Sequence, residues 1–419
     1  MQLTRLAAIA TLCGTIAASF ALGTATASAA VPVRGTFTPI DPTRILDTRD
    51  GTGVAAHHSG PLGAGQVVEL DVTGVAGIPE TGAGAVVLNV TVTQAAHDGW
   101  VTVYPCGNAR PVASNVNFVS GVDAANQVTA KVGRDGRVCF FTSATTQLIA
   151  DASGWYADNF ASVPGFWYHP LSPARVVDTR DGTGTGDRPI GPMAAGEVLT
   201  LTVPGAGGVP SDEPVRAVTL NVTIANPVGA GYVTVFPCDM PRPVVSNVNF
   251  DPSQLAVSNL VTVRPSSTGQ VCFYASTTAN LIVDVNGFFS ERHDVTFTPV
   301  SPVRILDTRD GTGIVGSRPG RLGDGAILQV QVGGANGVPV DASAVLVNVT
   351  VTGASGPGFV TAWPCGRPRP VASFLNFVRG VDRAGLTAVR LGNDGKVCLY
   401  VQEGTDVVAD LSGYYTVAA

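Results

Sequence analysis

The chain has 419 residues, of which 45% are hydrophobic and 13% charged, with a net charge of −6. Lys131 and Lys396 are its only lysines and no basic stripe occurs, which argues against a nucleic-acid partner. Beyond the N-terminus no apolar run approaches the length of a membrane span.

The first segment reads as a secretory signal peptide over residues 1–29. Arg5 supplies a thin positive region, Leu6 to Leu22 is mostly apolar, and Ala27-Ser28-Ala29 is a small-residue cleavage site. A mature start near Ala30 implies a secreted or cell-surface protein with no membrane span after cleavage. Cys13 lies inside this segment without a lipobox, so lipid anchoring is not expected.

Arg44 opens the run Arg-Ile-Leu-Asp-Thr-Arg-Asp-Gly-Thr-Gly, which returns at Arg304 and, with two Val changes, at Arg175. A repeat at this spacing makes the chain a tandem array. It divides into units at 30–157, 158–290 and 291–419, each of a size to hold its own core. In the first unit β-branched runs between turn residues predict strands at 44–47, 67–72, 85–93, 100–104, 113–118, 127–132, 137–142 and 147–152. The expected fold is all-β: three tandem antiparallel β-sandwich domains of jelly-roll or Ig-like type, about eight strands each. Short linkers near 157–165 and 290–296 imply units that touch.

The motif loop combines Asp47, Arg49 and Asp50, then Asp178, Arg180 and Asp181, then Asp307, Arg309 and Asp310. The expectation is a structural loop closed by its own Asp–Arg pairing, with Asp-Gly and Thr-Gly turns. Calcium is the alternative, but an Arg between the carboxylates neutralises charge that a cation would want. No other metal or cofactor is expected. Further along each unit, Asp151, Asp284 and Asp410 lie in apolar strand ends. If buried they need partners, and Arg44, Arg49 and their counterparts are the natural ones.

The six cysteines of the mature chain fall two per unit, separated by 33, 34 and 33 residues. One disulfide per unit follows for an exported chain: Cys106–Cys139, Cys238–Cys272 and Cys365–Cys398.

Alternation assigns faces. Val86, Leu88, Val90 and Val92 point one way, and Asn89, Thr91 and Thr93 the other. Trp100, Thr102 and Tyr104 share a face, with Asn115 and Asn117 pointing outward on another strand. The second unit repeats this with Tyr232, Thr234, Phe236, Asn247 and Asn249. The third has Phe359, Thr361, Trp363 and Asn376, but Phe374 replaces the first Asn of the pair and Gly385 stands where the others have Asn126 and Asn259. Aromatic rings beside amides and hydroxyls suit sugars, so these residues form a candidate ligand-binding face. Packing on a neighbouring strand, loop or domain is the competing reading, and Asn89 and its counterparts could satisfy backbone groups at a crossing loop.

No nucleophile-and-base arrangement is expected, because His57, His58, His97, His169 and His293 do not recur at equivalent positions and no hydrolase motif occurs.

The series Leu-Asp-Thr-Arg, Asn-Val-Thr, Tyr-Pro-Cys-Gly, Arg-Pro, Ser-Asn-Val-Asn-Phe and Asp-Ala-Ser-Gly-Trp-Tyr occupies Arg44–Gly53, Asn89–Thr91, Tyr104–Gly107, Arg110–Pro111, Ser114–Phe118 and Asp151–Tyr156. It resembles the β-rich repeat modules of secreted actinobacterial proteins, which occur in tandem or appended to cell-wall hydrolases. The resemblance covers the mature chain and implies a non-enzymatic accessory module for cell-wall or other extracellular polysaccharide. A structural or adhesive surface protein acting through protein–protein contacts is the alternative.

Overall fold

The computed structural model describes residues 34–54, 59–314 and 319–417; the expected signal peptide lies outside them. Among the described residues the first unit contains eight strands: β1 (Phe37–Asp47), β2 (Val67–Asp71), β3 (Ala83–Thr93), β4 (Gly99–Pro105), β5 (Val116–Phe118), β6 (Ala124–Lys131), β7 (Arg137–Thr142) and β8 (Gln147–Ala157). They form two antiparallel sheets, ordered β1-β8-β3-β6 and β2-β7-β4-β5. Two four-stranded sheets wound in this order are a jelly roll. Among the described residues no helix is long and apolar enough to cross a membrane.

The alternating apolar residues meet between the sheets. Val86, Leu88, Val90 and Val92 from β3 pack with Val101 and Val103 from β4 and with Val138 and Phe140 from β7. The second unit, β9 (Trp167–Asp178) to β16 (Asn280–Ser290), and the third, β17 (Val295–Asp307) to β24 (Asp406–Val417), repeat the strand order. Each unit is closed by its expected disulfide, Cys106–Cys139, Cys238–Cys272 or Cys365–Cys398.

Strand β1 begins seven residues before the predicted start, despite Pro39 and Pro42. Its register against β8 shifts between Pro39 and Thr43, and prolines are tolerated at such a bulge because the ladder there asks for no N–H. The extra length carries Phe37 to its partner Tyr156.

That pair repeats as Tyr168 with Phe289 and Phe297 with Tyr415, and the three pairs join in a closed ring of six aromatic side chains. Around the ring, Phe37–Tyr156, Tyr156–Phe297, Phe297–Tyr415, Tyr415–Tyr168, Tyr168–Phe289 and Phe289–Phe37 have centroid separations of 5.0, 4.4, 4.9, 4.5, 4.9 and 4.5 Å. Contacts alternate between and within units, so every unit touches both others. The Gly before each aromatic pair makes room. A Cβ at Gly154 would overlap the Phe37 ring, at Gly287 the Tyr168 ring and at Gly413 the Phe297 ring.

Below the ring, asparagines bind the units in a cycle. Asn89 Nδ2 donates to the Ser246 carbonyl of the second unit at 2.6 Å, Asn221 to Ser373 of the third at 2.7 Å, and Asn348 to Ser114 of the first at 2.6 Å. Asn259 Nδ2 donates to Asn89 Oδ1 at 2.8 Å, and its own Oδ1 accepts from the Gln127 backbone at 2.8 Å. Asn126 acts likewise on the third unit, through Asn348 Oδ1 at 2.9 Å and the Leu386 backbone at 3.1 Å. The polar face of β3 is therefore buried, not solvated: Asn89, Thr91 and Thr93 are each less than a tenth exposed. The inner sheets of the second and third units also join edge to edge, with Val295 paired to Tyr168.

Candidate functional site

The Asp-Thr-Arg-Asp loop folds on its first carboxylate. Arg49 reaches Asp47 Oδ1 with its backbone N–H at 3.1 Å and with Nε at 2.8 Å, and reaches Oδ2 with Nη2 at 2.6 Å. Arg44 adds Nη1 to Oδ2 at 3.2 Å and spans to Asp151 through Nε at 2.9 Å. The same geometry recurs at Arg175, Asp178, Arg180 and Asp284, and at Arg304, Asp307, Arg309 and Asp410. The second acid of each loop, Asp50, Asp181 or Asp310, accepts a backbone N–H from the Thr two residues on. Gly53, Gly184 and Gly313 have φ of 71, 65 and 72°, and a Cβ there would strike the carbonyl of Ile45, Val176 or Ile305.

Charge follows this geometry. Burial works to raise the Asp47 and Asp178 carboxyls, but the hydrogen bonds and positive charge of Arg49 and Arg180 outweigh it, and both sit below the ordinary carboxylate value. Asp307 is lowered mainly by its bond from the Arg309 side chain. Asp151, Asp284 and Asp410 are more deeply enclosed, and burial raises them despite Arg44, Arg175 and Arg304. Both oxygens of Asp47, Asp178 and Asp307 are thus committed to guanidinium groups. Among the described residues, the only trio of acidic, His or Cys side chains close enough to share an ion is Glu69, Cys106 and Cys139, whose sulfurs are bonded to each other.

The open aromatic, Asn and Thr face expected from alternation is not formed, and most of that assignment is corrected. In each unit the segment after the first cysteine doubles back over the face. Thr102, Thr234 and Thr361 donate to the carbonyls of Ala113, Val245 and Ala372, each at 2.7 Å. Asn115 and Asn247 accept from the Val103 and Val235 backbones at 2.7 Å. Tyr104 and Trp363 are buried beside their disulfides, and Phe236 is buried opposite Cys272. Asn117, Asn249 and Asn376 accept from the hydroxyls of Ser114, Ser246 and Ser373. Alternation states which side chains share a face but not what covers it. Trp100 remains 43% exposed, with Tyr232 and Phe359 half-buried.

These residues stand at the junctions between units. Trp100, Arg110, Val112 and Asn117 of the first unit line a cleft of about 340 Å³ whose other wall is Arg304, Arg309, Thr350 and Asp382 of the third. Phe359, Arg369, Val371 and Asn376 of the third unit line a matching cleft of about 330 Å³ against Arg175, Arg180 and Thr223 of the second. At the rim, the Arg110 guanidinium lies 3.6 Å from the Phe141 ring centroid and Arg369 lies 3.7 Å from that of Tyr400. Arg242 lies 4.0 Å from Tyr274 in the second unit. The next valine in each loop, Val112, Val244 or Val371, is more than four-fifths exposed. Each cleft is therefore lined by a ring and guanidinium groups, with buried threonines at its floor.

One arrangement went unread in the sequence. Ser290 Oγ lies 2.9 Å from His169 Nε2, and His169 Nδ1 lies 2.9 Å from Asp294 Oδ2. The order is that of a hydrolytic triad, but His169 Nε2 also faces the Arg292 carbonyl at 3.1 Å; a carbonyl only accepts, so this nitrogen carries a proton and is not a base for Ser290. Ser290 is only 1% exposed, the Arg292 backbone donates to its hydroxyl at 3.2 Å, and His169 stacks on Phe288 at 4.5 Å. With its hydroxyl sealed and engaged, the trio locks the connection between the second and third units. The three residues belong to one unit boundary, so no repeated pattern announced them.

No protein-family model matches the chain, and no curated protein matches it. Among solved structures, it is similar to an archaeal virus protein described by its triple jelly-roll fold and turret assembly, at 10% identity over 90% of both chains with a TM-score of 0.17. A protein from the atomic structure of Sulfolobus turreted icosahedral virus aligns at 10% identity over 92% of both chains with a TM-score of 0.18.

Proposed function

We propose that this chain is a secreted, non-catalytic extracellular protein that binds cell-wall or other polysaccharide in the clefts between its units. The observation that carries the reading is the exposed Trp100 ring, set at a cleft mouth with the guanidinium groups of Arg110, Arg304 and Arg309. Sugar rings stack on such a surface while planar donors take their hydroxyls. One disulfide per unit and a leader-like N-terminus support export, and the resemblance to modules of secreted actinobacterial proteins points the same way. Fixed clefts on one body would add avidity on a repeating polymer.

A structural or adhesive role is the second reading. It is favoured by the burial of Asn115, Asn247 and Thr234 at closed loops and by the outward valines Val112, Val244 and Val371. The test is retention of the mature, oxidised protein on purified cell wall, chitin and cellulose, with Trp100→Ala and Phe359→Ala alongside. Retention competed by a soluble oligomer and weakened in both variants supports the clefts. Failure on every matrix favours the structural role.

A further inference from the structure

The two clefts differ by one charge. In the cleft between the third and first units, Asp382 faces the same space as Arg110, Arg304 and Arg309. In the cleft between the second and third, the lining includes Arg175, Arg180 and Arg369 and no carboxylate; the position matching Asp382 is Ala256.

The arginines there are not equally occupied. Arg175 is committed to Asp284, Asp178 and the Val371 carbonyl. Arg180 binds Asp178 through Nε and Nη2, which leaves Nη1 on a side chain 47% exposed. Arg369 has its face on Tyr400, and among the described residues its donor edge has no carboxylate or hydrogen-bond partner. The Asp178 and Asp284 charges are matched by Arg175 and Arg180, so Arg369 is the surplus cation. A guanidinium held flat on a ring with its edge free is pre-organised for a planar or tetrahedral oxyanion.

Resting on the polysaccharide reading above, we infer that the cleft between the second and third units binds a glycan bearing repeated anionic groups, carboxylate or phosphate. Arg369 and the free Nη1 of Arg180 take the anion while a sugar ring lies on Phe359. The Asp382 carboxylate makes the other cleft the poorer anion site.

The mature, disulfide-bonded chain is titrated calorimetrically with polygalacturonate, with poly(glycerol phosphate) and with uncharged galactan. An acidic polymer should bind about tenfold tighter than galactan, and added salt should erode that margin. Whichever acidic polymer binds identifies the anion as carboxylate or phosphate. Arg369→Gln should lower acidic-polymer affinity about tenfold, and Arg110→Gln much less. Ala256→Asp, which installs the residue found at 123 and 382, should reproduce the loss without touching the Arg369–Tyr400 stack. Equal affinity for galactan and both acidic polymers, or acidic binding unchanged in Arg369→Gln and Ala256→Asp, overturns the anionic assignment while the polysaccharide reading stands. Binding to no polysaccharide removes both.

Discussion

Asn221 Oδ1 is buried without a hydrogen-bond partner among the described residues, and Gly385 stands where the other junctions place the asparagine that would supply one. Asn259 serves Asn89 in this way, and Asn126 serves Asn348. Phe374 accompanies the change, filling core space where Asn115 and Asn247 hold backbone groups. Ser258 partly compensates, donating to the Phe374 carbonyl at 2.8 Å and accepting from Asn376 at 3.1 Å.

Asn126→Ala should therefore destabilise the protein by about 3 kcal/mol, since it strands buried groups of two units. Gly385→Asn alone should not stabilise, because its Cβ would lie 3.1 Å from Leu375 Cδ1. Paired with Leu375→Val, which trims the side chain it would strike to the residue found at 116 and 248, it should recover a stability that neither single change has. Chemical denaturation of the four variants checks this, and a stabilising single Gly385→Asn would contradict the steric account.

Tyr156 and Tyr415 share a hydrogen bond between hydroxyls at 2.9 Å inside the aromatic ring. Phe289 fills the corresponding place in the second unit with no hydroxyl. Removing one hydroxyl leaves the other buried and unmatched, so Tyr156→Phe should cost about 1–3 kcal/mol. The double change Tyr156→Phe/Tyr415→Phe should cost less than the single one. A thermal-melt cycle of the four proteins reads this directly.

Acid should act on two sets of carboxylates in opposite senses. Asp47, Asp178 and Asp307 are lowered in the folded state, so their contribution is present above the ordinary value of roughly 4 and lost as pH falls through their folded values. Asp151, Asp284 and Asp410 are raised, so protonation between their folded values and that ordinary value favours the fold. Melting temperature should hold or rise slightly as pH falls towards about 4, then drop steeply. Asp307→Asn should melt lower at neutral pH and show a shallower acid drop; an unchanged drop would show that the loop carboxylates do not govern it.

Arg383 occupies a strand position filled by Ala124 in the first unit and Val257 in the second, both core residues. Among the described residues it has no carboxylate or hydrogen-bond partner, and burial pushes its guanidinium down to about 10. The side chain is half-buried, and a partly enclosed charge without a partner costs stability. Arg383→Ala should raise the melting temperature of the third unit, and a clear fall would mean that the arginine stem is needed for packing.

Reduction of the disulfides should lower the melting temperature, by roughly 3–4 kcal/mol of stability per bridge in the loop-entropy picture. Cys106→Ala/Cys139→Ala isolates the first bridge.

Much of each unit was legible because strand alternation is a local property. The predicted runs over 67–72, 85–93 and 137–142 meet β2, β3 and β7 within a residue or two. Strand β1 outruns its local pattern because Pro39 and Pro42 oppose a ladder, and the bulge against β8 accommodates them. The fate of the polar faces was not legible. Asn89 looks like a solvated strand residue until Ser246, 157 positions away, arrives from the next unit. Ser290, His169 and Asp294 were hidden because a contact made once leaves no mark in a repeat.

The closed aromatic ring also sets copy number. A linear array of repeats can gain or lose a member at either end, because each member leans only on its neighbours. Here six rings complete a circuit, and the last unit returns to the first through Phe297 and Tyr156. A fourth repeat would find no seat, and a deleted one would expose two aromatic pairs at once. Duplication and loss, the ordinary ways in which tandem genes vary, are both penalised by the geometry, so three is the number at which this architecture closes.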